Sequence, residues 1–274
     1  MARKELVIHP DIGSGRVGLV VAEMQVVHEG HRGLVSQMVA NCDTAIVALG
    51  SCDKHGILGH PLTFEQRKSM LEGIFGSQLR FVQLQDIDAS VDHEAWMQYV
   101  LDRITKSGLP APTDYYTGSA IDARWYEHHF ASVSDQGERT GFVTTYTRQH
   151  GDINRRLHIV DRDKLGLPSG RDVRYLIERR DGEWKRYVPA RLWRYIEWNY
   201  PPHLRQGFVF HLPSEGAMPS SNEYPVGTRM LFDQGGQRSH LELKDDGAWR
   251  PVKDGPDEKT LAAMRLHGSA NSKE

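Results

Sequence analysis

Val17-Gly-Leu-Val-Val-Ala22 is followed closely by His28-Glu-Gly-His31, and then by apolar positions Leu34, Val35, Met38 and Val39. The first run has the make-up of a strand buried on both faces of a parallel sheet. The spacing of the second group predicts a helix from near Gly30 to about Ala40. Outward from this unit the pattern repeats. Thr44 to Leu49 reads as a second buried strand, ending in Gly50 and Ser51. A helix over Thr63 to Phe75 is predicted with Thr63 as N-cap and Gln66 closing a capping box. Leu79 to Leu84 is a third strand, and a helix carrying Trp96, Val100 and Ile104 comes after it. Asp114 to Thr117 is a fourth strand, leading into a short segment around Trp125 and Tyr126, with further strands at Phe142 to Thr147 and Leu157 to Val160. Helices are expected from Ser169 and from Ala190. Strands alternating with helices imply right-handed βαβ units, an α/β class and a doubly wound parallel sheet.

The pattern breaks past residue 198. The expected organisation is a main domain over 1–198, a linker over 199–206 built on Asn199-Tyr-Pro-Pro202, a small β-rich appendage over 207–267 and a disordered polar tail over 268–274. Within the appendage Leu241 and Leu243 alternate with Glu242 and Lys244, and Asp245-Asp246-Gly247 reads as a hairpin turn returning through Trp249. Composition bounds the function. With 39% hydrophobic and 26% charged residues, the 274-residue chain can build a sizeable core. A net charge of −2 argues against affinity gained by neutralising many phosphates of a nucleic acid. Cys42 and Cys52 are the only cysteines, so neither a disulfide framework nor a cysteine zinc site is supported, and a reducing, cytoplasmic setting is expected. No signal peptide and no membrane span are expected, because no apolar run approaches the ~18 residues a span requires.

Three motif matches fail on context. Gly13-Ser-Gly-Arg-Val-Gly18 fits G-x-G-x-x-G but precedes its strand instead of joining strand to helix. Asp161-Arg-Asp163 with Gly166 lacks the ligands of a calcium loop, since Leu165 and Asp172 stand at ligand positions. There is no P-loop lysine motif. His28-Glu-Gly-His31 is better placed, at the handover from the first strand to the first helix. Backbone N–H groups at a helix start favour phosphate, the glycine permits close approach, and two histidines can donate to charge developing on a reacting phosphate. The alternative is a pair of surface histidines in a polar loop.

Leu19 through His31 resembles the opening of the H-x-G-H nucleotidylyltransferases, and most closely the nicotinamide-nucleotide adenylyltransferases of the archaeal and bifunctional Nudix-linked kind, with their G-R-[FM]-Q-P-F-H-x-G-H. The likeness continues through Ile46 to Ser51, then Pro61-Leu-Thr-Phe-Glu-Gln-Arg67, similar to N-P-F-[ST]-x-x-E-R, then Gly118-Ser119 with Trp125-Tyr126. It ends at Leu167-Pro-Ser-Gly-Arg-Asp-Val-Arg174, similar to I-S-[GA]-T-x-[IV]-R. These ordered matches span roughly 17–198.

The resemblance implies a Rossmann-like domain that transfers an adenylyl group from ATP to nicotinamide mononucleotide, giving NAD and pyrophosphate by direct in-line attack with no covalent intermediate. It implies catalytic roles for His28, His31 and Arg174. ATP would be bound by Met24, Gln25, His28, His31, Ser169, Gly170, Arg171 and Arg174. The acceptor would meet Gly50, Ser51, Trp96, Gly118 and Ser119. Mg²⁺ is expected through the ATP phosphates, with no protein metal ligands, and a homo-oligomer is left open. Each residue also has a plainer reading. Ser169 with Asp172 is an ordinary capping box, Arg174 a surface partner of a carboxylate, Trp96 a core anchor, and Gly50-Ser51 a strand-ending turn.

Departures from the family pattern are equally specific. Ala22-Glu23 stands in place of Gly-Arg, Val26-Val27 in place of Pro-Phe, and Arg171 in place of the signature threonine. Glu23 is expected either to point away, paired with a basic residue such as Arg16 or Arg32, or to help hold Mg²⁺. No Nudix box follows residue 199. Two alternatives to the enzyme reading stay open: a non-catalytic nucleotide-binding or regulatory protein on the same fold, and a nucleotidylyltransferase for another phosphorylated acceptor.

Overall fold

The computed structural model describes residues 15–87, 92–126, 137–150, 153–160, 165–205, 209–212, 224, 226–234 and 237–251. Asp88, the 161–163 segment and the 252–274 tail lie outside them. The first apolar run forms β1 (Val17–Ala22), and α1 (Glu29–Asn41) follows. Then come β2 (Thr44–Leu49), α2 (Phe64–Phe75), β3 (Leu79–Gln83), α3 (His93–Lys106), β4 (Asp114–Thr117) and α4 (Ala120–Ala123). β5 (Glu138–Thr140), β6 (Val143–His150) and β7 (Ile153–Val160) precede α5 (Gly170–Glu178) and α6 (Trp193–Asn199).

β1 to β7 make one seven-stranded sheet in the order β3-β2-β1-β4-β7-β6-β5. The five strands β3, β2, β1, β4 and β7 pair in parallel, as the alternation of apolar runs and helices predicts. β6 and β5 are antiparallel additions at one edge. The strands expected at 142–147 and 157–160 are longer than their apolar content suggests, and they pair with each other as a hairpin. Residues 151–152 leave no room for the crossover that parallel strands need.

Helices cover both faces. On one, Val20, Val47, Leu49 and Tyr116 pack with Leu34, Val35 and Met38 of α1, Met70 and Leu71 of α2, and Val173 and Ile177 of α5. On the other, Leu19, Ile46, Ala48, Val82 and Tyr115 meet Met97, Val100 and Ile104 of α3. Each of the Val, Leu, Ile and Met side chains contributes about 1.5–3 kcal/mol on full burial. α1 sits unusually close to β1. A Cβ added at Gly18 would lie 2.5 Å from Met38 Cγ and 2.9 Å from Cys42 Sγ, so only glycine fits beneath the helix. α2 begins as its sequence requires, with Thr63 and Gln66 forming a reciprocal capping box.

The helix expected from Ala190 starts as a 3-10 turn over Ala190–Leu192 before α6. The segment read as a linker is anchored. Tyr200 and Leu204 are fully buried in the first core, and the Tyr200 hydroxyl donates to Glu178 Oε1 at 2.7 Å. The appendage is a four-stranded sheet in the order β11-β10-β9-β8, from β8 (Val209–Leu212), β9 (Arg229–Gln234), β10 (Gln237–Leu243) and β11 (Trp249–Pro251). β10 returns to β11 through the expected Asp245-Asp246-Gly247 turn, with Gly247 at φ 76°.

Candidate functional site

At the carboxyl ends of the parallel strands, two helix N-termini from opposite halves of the chain converge. α1 is capped by His28, whose Nδ1 accepts from the Gly30 N–H at 3.1 Å. That bond leaves the proton of the neutral ring on Nε2. The His31 ring stands over His28 with centroids 3.9 Å apart. α5 starts beside them: a Cβ placed on Gly170 would lie 3.5 Å from His28 Nε2, 3.6 Å from His31 Cε1 and 3.7 Å from an Arg174 Nη. Gly30 is constrained as well, since a Cβ there would meet His28 Cε1 at 2.8 Å. Two imidazoles and a guanidinium therefore meet beside Gly170 at the start of α5, while α1 spends its first N–H groups on the Tyr187 carbonyl and His28 Nδ1. Such a donor set suits a polyanion, above all phosphate.

The same geometry separates the remaining candidates. Ser169 caps α5 in a box with Asp172, and its hydroxyl donates to Asp172 Oδ2 at 2.7 Å. Both the capping and the phosphate readings use that helix start. Arg171 is exposed on the first turn, and Arg174 is half-buried with its charge near Glu178. The side chains of Met24 and Gln25 are buried away from this point. Met24 is in the first core, and Gln25 Oε1 accepts from the Leu62 N–H at 3.0 Å. This segment can offer a ligand its backbone.

The acceptor-side candidates occupy the ends of β2 and β4. Gly50 donates its N–H to the Ala22 carbonyl at 3.2 Å, and the buried Ser51 donates its hydroxyl to Asp86 Oδ1 at 2.7 Å. Met24 and Ser51, each just past a parallel strand, hold left-handed backbone at φ 47° and 51°, a strained conformation that clusters at functional turns. Gly118 is open to added volume, and Ser119 caps α4, accepting from the Asp122 N–H at 3.1 Å. Trp96 lies half-buried on α3 against the second core. Its ring is 5.0 Å from that of Trp125 and 6.3 Å from that of Tyr126.

Arg67, quoted above only as part of a motif, is fully buried. One of its Nη groups donates to both the Glu23 and Gly50 carbonyls at 2.7 Å, tying the loops after β1 and β2 together. Glu23 takes neither Arg16 nor Arg32 as its partner. Arg16 is engaged with Asp114 and Arg32 with Glu29, whereas Glu23 Oε2 lies 3.7 Å from His60 Nδ1. The register of β1 accounts for this, because Arg16 is at the opposite end of the strand. Among the described residues no group of three or more His, Cys, Asp or Glu is placed to hold a metal, and no helix is long and apolar enough to cross a membrane.

Sequence reasoning missed a buried ionic cluster at the amino ends of the strands. Arg16 grips Asp114 through Nε at 3.2 Å and through a second, shorter bond from Nη2. His158 Nε2 donates to Asp114 Oδ1 at 3.0 Å, and Thr113 Oγ1 donates to Oδ2 at 2.6 Å. Burial would raise the Asp114 pKa, but the bonds from His158, Arg16 and Thr113 outweigh it and hold the carboxyl well below the usual range. Burial pushes the His158 pKa down, and the bond to Asp114 offsets only part of that shift. Charged residues at both ends of an otherwise apolar first strand were the available signal.

No family model matches the chain, and no curated protein does. Among solved structures it is similar to a bifunctional NMN adenylyltransferase/ADP ribose pyrophosphatase from Francisella tularensis. Identity is 20% over 42% of this chain and 35% of that one, with a TM-score of 0.37. It is also similar to a NadR protein in complex with NAD and AMP-PNP, at 12% identity over 75% of this chain and 51% of that one, with a TM-score of 0.43. The chain spans between a third and about half of the length of these structures.

Proposed function

We propose that the protein transfers a nucleotidyl group, and specifically that it joins the adenylyl group of ATP to nicotinamide mononucleotide. The observation that carries this reading is the meeting of His28, His31 and Arg174 around Gly170 at two helix N-termini. The motif resemblance implies that ATP phosphates would bind at that point. In this reading a phosphate oxygen of the acceptor attacks the α-phosphate in line, the bond from the α-phosphorus to the β-bridging oxygen breaks, and pyrophosphate leaves. The chemistry needs positioning and charge stabilisation more than a nucleophile on the protein. His28 Nε2–H and His31 would donate to the equatorial oxygens, and Arg174 would take charge on the leaving pyrophosphate. The α5 N–H groups would hold the triphosphate in register. Mg²⁺ would be carried by the ATP phosphates and would neutralise part of their charge; a donor set of imidazoles and a guanidinium fits the phosphates themselves rather than a bare cation. Gly50, Ser51, Gly118 and Ser119 line the strand ends where an acceptor would lie, and Trp96 is the aromatic available to a base.

The test is direct. Mixed with ATP, Mg²⁺ and nicotinamide mononucleotide, the protein is expected to release pyrophosphate and form NAD. Turnover only with the nicotinate, phosphopantetheine or glycerol-phosphate acceptors would keep nucleotidyl transfer and change the acceptor. A second reading, nucleotide binding without turnover, is favoured by Glu23, a carboxylate at the position where the resembled family has arginine. ATP binding by calorimetry together with no turnover on any acceptor would establish that reading instead.

A further inference from the structure

A cavity of about 440 Å³ opens on the same sheet face as α1 but toward the amino ends of the strands, away from the histidines. Its floor is built by register. Asp114 pairs with Arg156 and Arg156 with Thr147, while Tyr116 pairs with His158 and His158 with Thr145, so these side chains share one face. The antiparallel strands β6 and β5 extend this floor, and the C-terminal half of α1 forms the wall through Gln37 and Asn41.

The polar groups here divide into those already satisfied and those that are not. Asp114 is saturated by Arg16, His158 and Thr113, and His158 Nδ1 is bonded to Thr145 Oγ1 at 2.9 Å. Arg156 is different. Its guanidinium reaches Asp114 at 3.8 Å, beyond hydrogen-bond range, and makes no side-chain hydrogen bond among the described residues. Gln37 is 95% buried as a residue (5% exposed), yet its Nε2 meets no acceptor among the described residues, and the buried Asn41 Oδ1 meets no donor. Leaving a buried amide unpaired costs ~1–3 kcal/mol, so such groups in one cavity mark a place where something else completes them. Two guanidiniums, Arg16 and Arg156, share the single buried carboxylate of Asp114, and Arg16 holds it the more closely; the other carboxylate among the described lining residues is Glu138 on the exposed edge strand.

We infer that this cavity is a second ligand site, for a small organic anion whose carboxylate or phosphate lies on Arg156 and whose neutral hydrogen-bonding end pairs with Gln37 and Asn41. Guanidinium takes either oxyanion through its planar fork, and the two amides offer one donor and one acceptor. The volume is that of a metabolite-sized molecule rather than a bare ion. Nothing in this assignment depends on nucleotidyl transfer at the other end of the sheet.

The test is titration of the full chain, followed by NMR on the side-chain amide signals of Gln37 and Asn41, with inorganic phosphate, acetate and N-acetylglycine as separate probes. N-acetylglycine joins a carboxylate to an amide. At least one probe is expected to move both signals saturably, and the stronger of phosphate and acetate identifies the anionic group. Arg156→Gln should weaken that response by about tenfold, the loss expected of one charge-assisted contact. Glu138→Gln should strengthen it, because a repelling charge has been removed from the rim. His31→Ala should leave it unchanged. No movement of either signal with any probe, or an unaltered titration in both Arg156→Gln and Glu138→Gln, would overturn the assignment.

Discussion

The two ends of the central sheet use charge in opposite ways. At the amino ends, Arg16, Asp114 and His158 are buried and spend their hydrogen bonds on one another. At the carboxyl ends, His28, His31 and Arg174 are gathered around the start of α5 and face a shared point. A strand running between them follows an ion pair and leads into a strained turn: β1 lies between Arg16 and Met24, and the strand beside it, β2, leads to Ser51. The contrast separates groups that hold the sheet together from groups held ready by it. Substitutions at one end should therefore read out as stability, and at the other as rate.

The largest effect is expected from Asp114→Asn. Removing one member of a buried ionic cluster leaves Arg16 without its counter-charge, and the expected loss in urea unfolding at neutral pH is about 3–5 kcal/mol. The pH dependence follows from the two shifts. Asp114 and His158 both have folded-state pKa values below their ordinary ones, so the folded chain binds fewer protons than the unfolded chain. The contribution is complete above the ordinary histidine value of 6.5 and declines as pH falls through the histidine and then the carboxylate range. Asp114→Asn should flatten the carboxylate part of that decline. A cost under about 1 kcal/mol would show that the cluster does not hold the strands, and the contrast between the two ends would collapse.

Next is His31→Ala, which should leave the unfolding curve in place while kcat for nucleotidyl transfer falls by on the order of 10² or more. Near-normal kcat would remove the proposed role of this histidine.

The smallest effect sharpens the comparison most. Thr63→Ala and Ser169→Ala each break a capping box of the same geometry, and each should cost roughly 1 kcal/mol of stability. Only Ser169→Ala should also raise KM for ATP, because α5 begins at the proposed phosphate site and α2 does not. Equal KM values for the two variants would reduce Ser169 to an ordinary cap.

How far the sequence could be read depended on whether a residue's partner was local. Thr63 and Gln66 lie on one helical turn, and β1 and β2 are apolar runs that no solvent-facing strand would carry, so both are legible. The hairpin turn at Asp245-Asp246-Gly247 is local too. β6 was harder, because Thr145 and Thr147 form the floor of a polar cavity and the strand gives no long apolar run to detect. Asp114 and His158 come from two separate strands and Arg16 directly precedes a third, and nothing in the spacing links them until the sheet order is known. Glu23 was assigned partners close in sequence or charge, but the fold placed His60 there instead. The proximity of His28 to Gly170 has no local signal either; it was legible only through the ordered resemblance to a motif series.

Gly18 gives the chain a history as well as a shape. Because α1 rests on it at a distance no side chain allows, positions 18, 38 and 42 cannot drift independently: Met38 and Cys42 must shrink or turn aside before anything larger than hydrogen is tolerated at 18. The same helix carries His28 and His31 at its start and Gln37 and Asn41 along its second half. A descendant that lifted α1 off the sheet to gain a side chain at 18 would shift both sets together, so the order in which this lineage can accept substitutions is written into one missing methyl group.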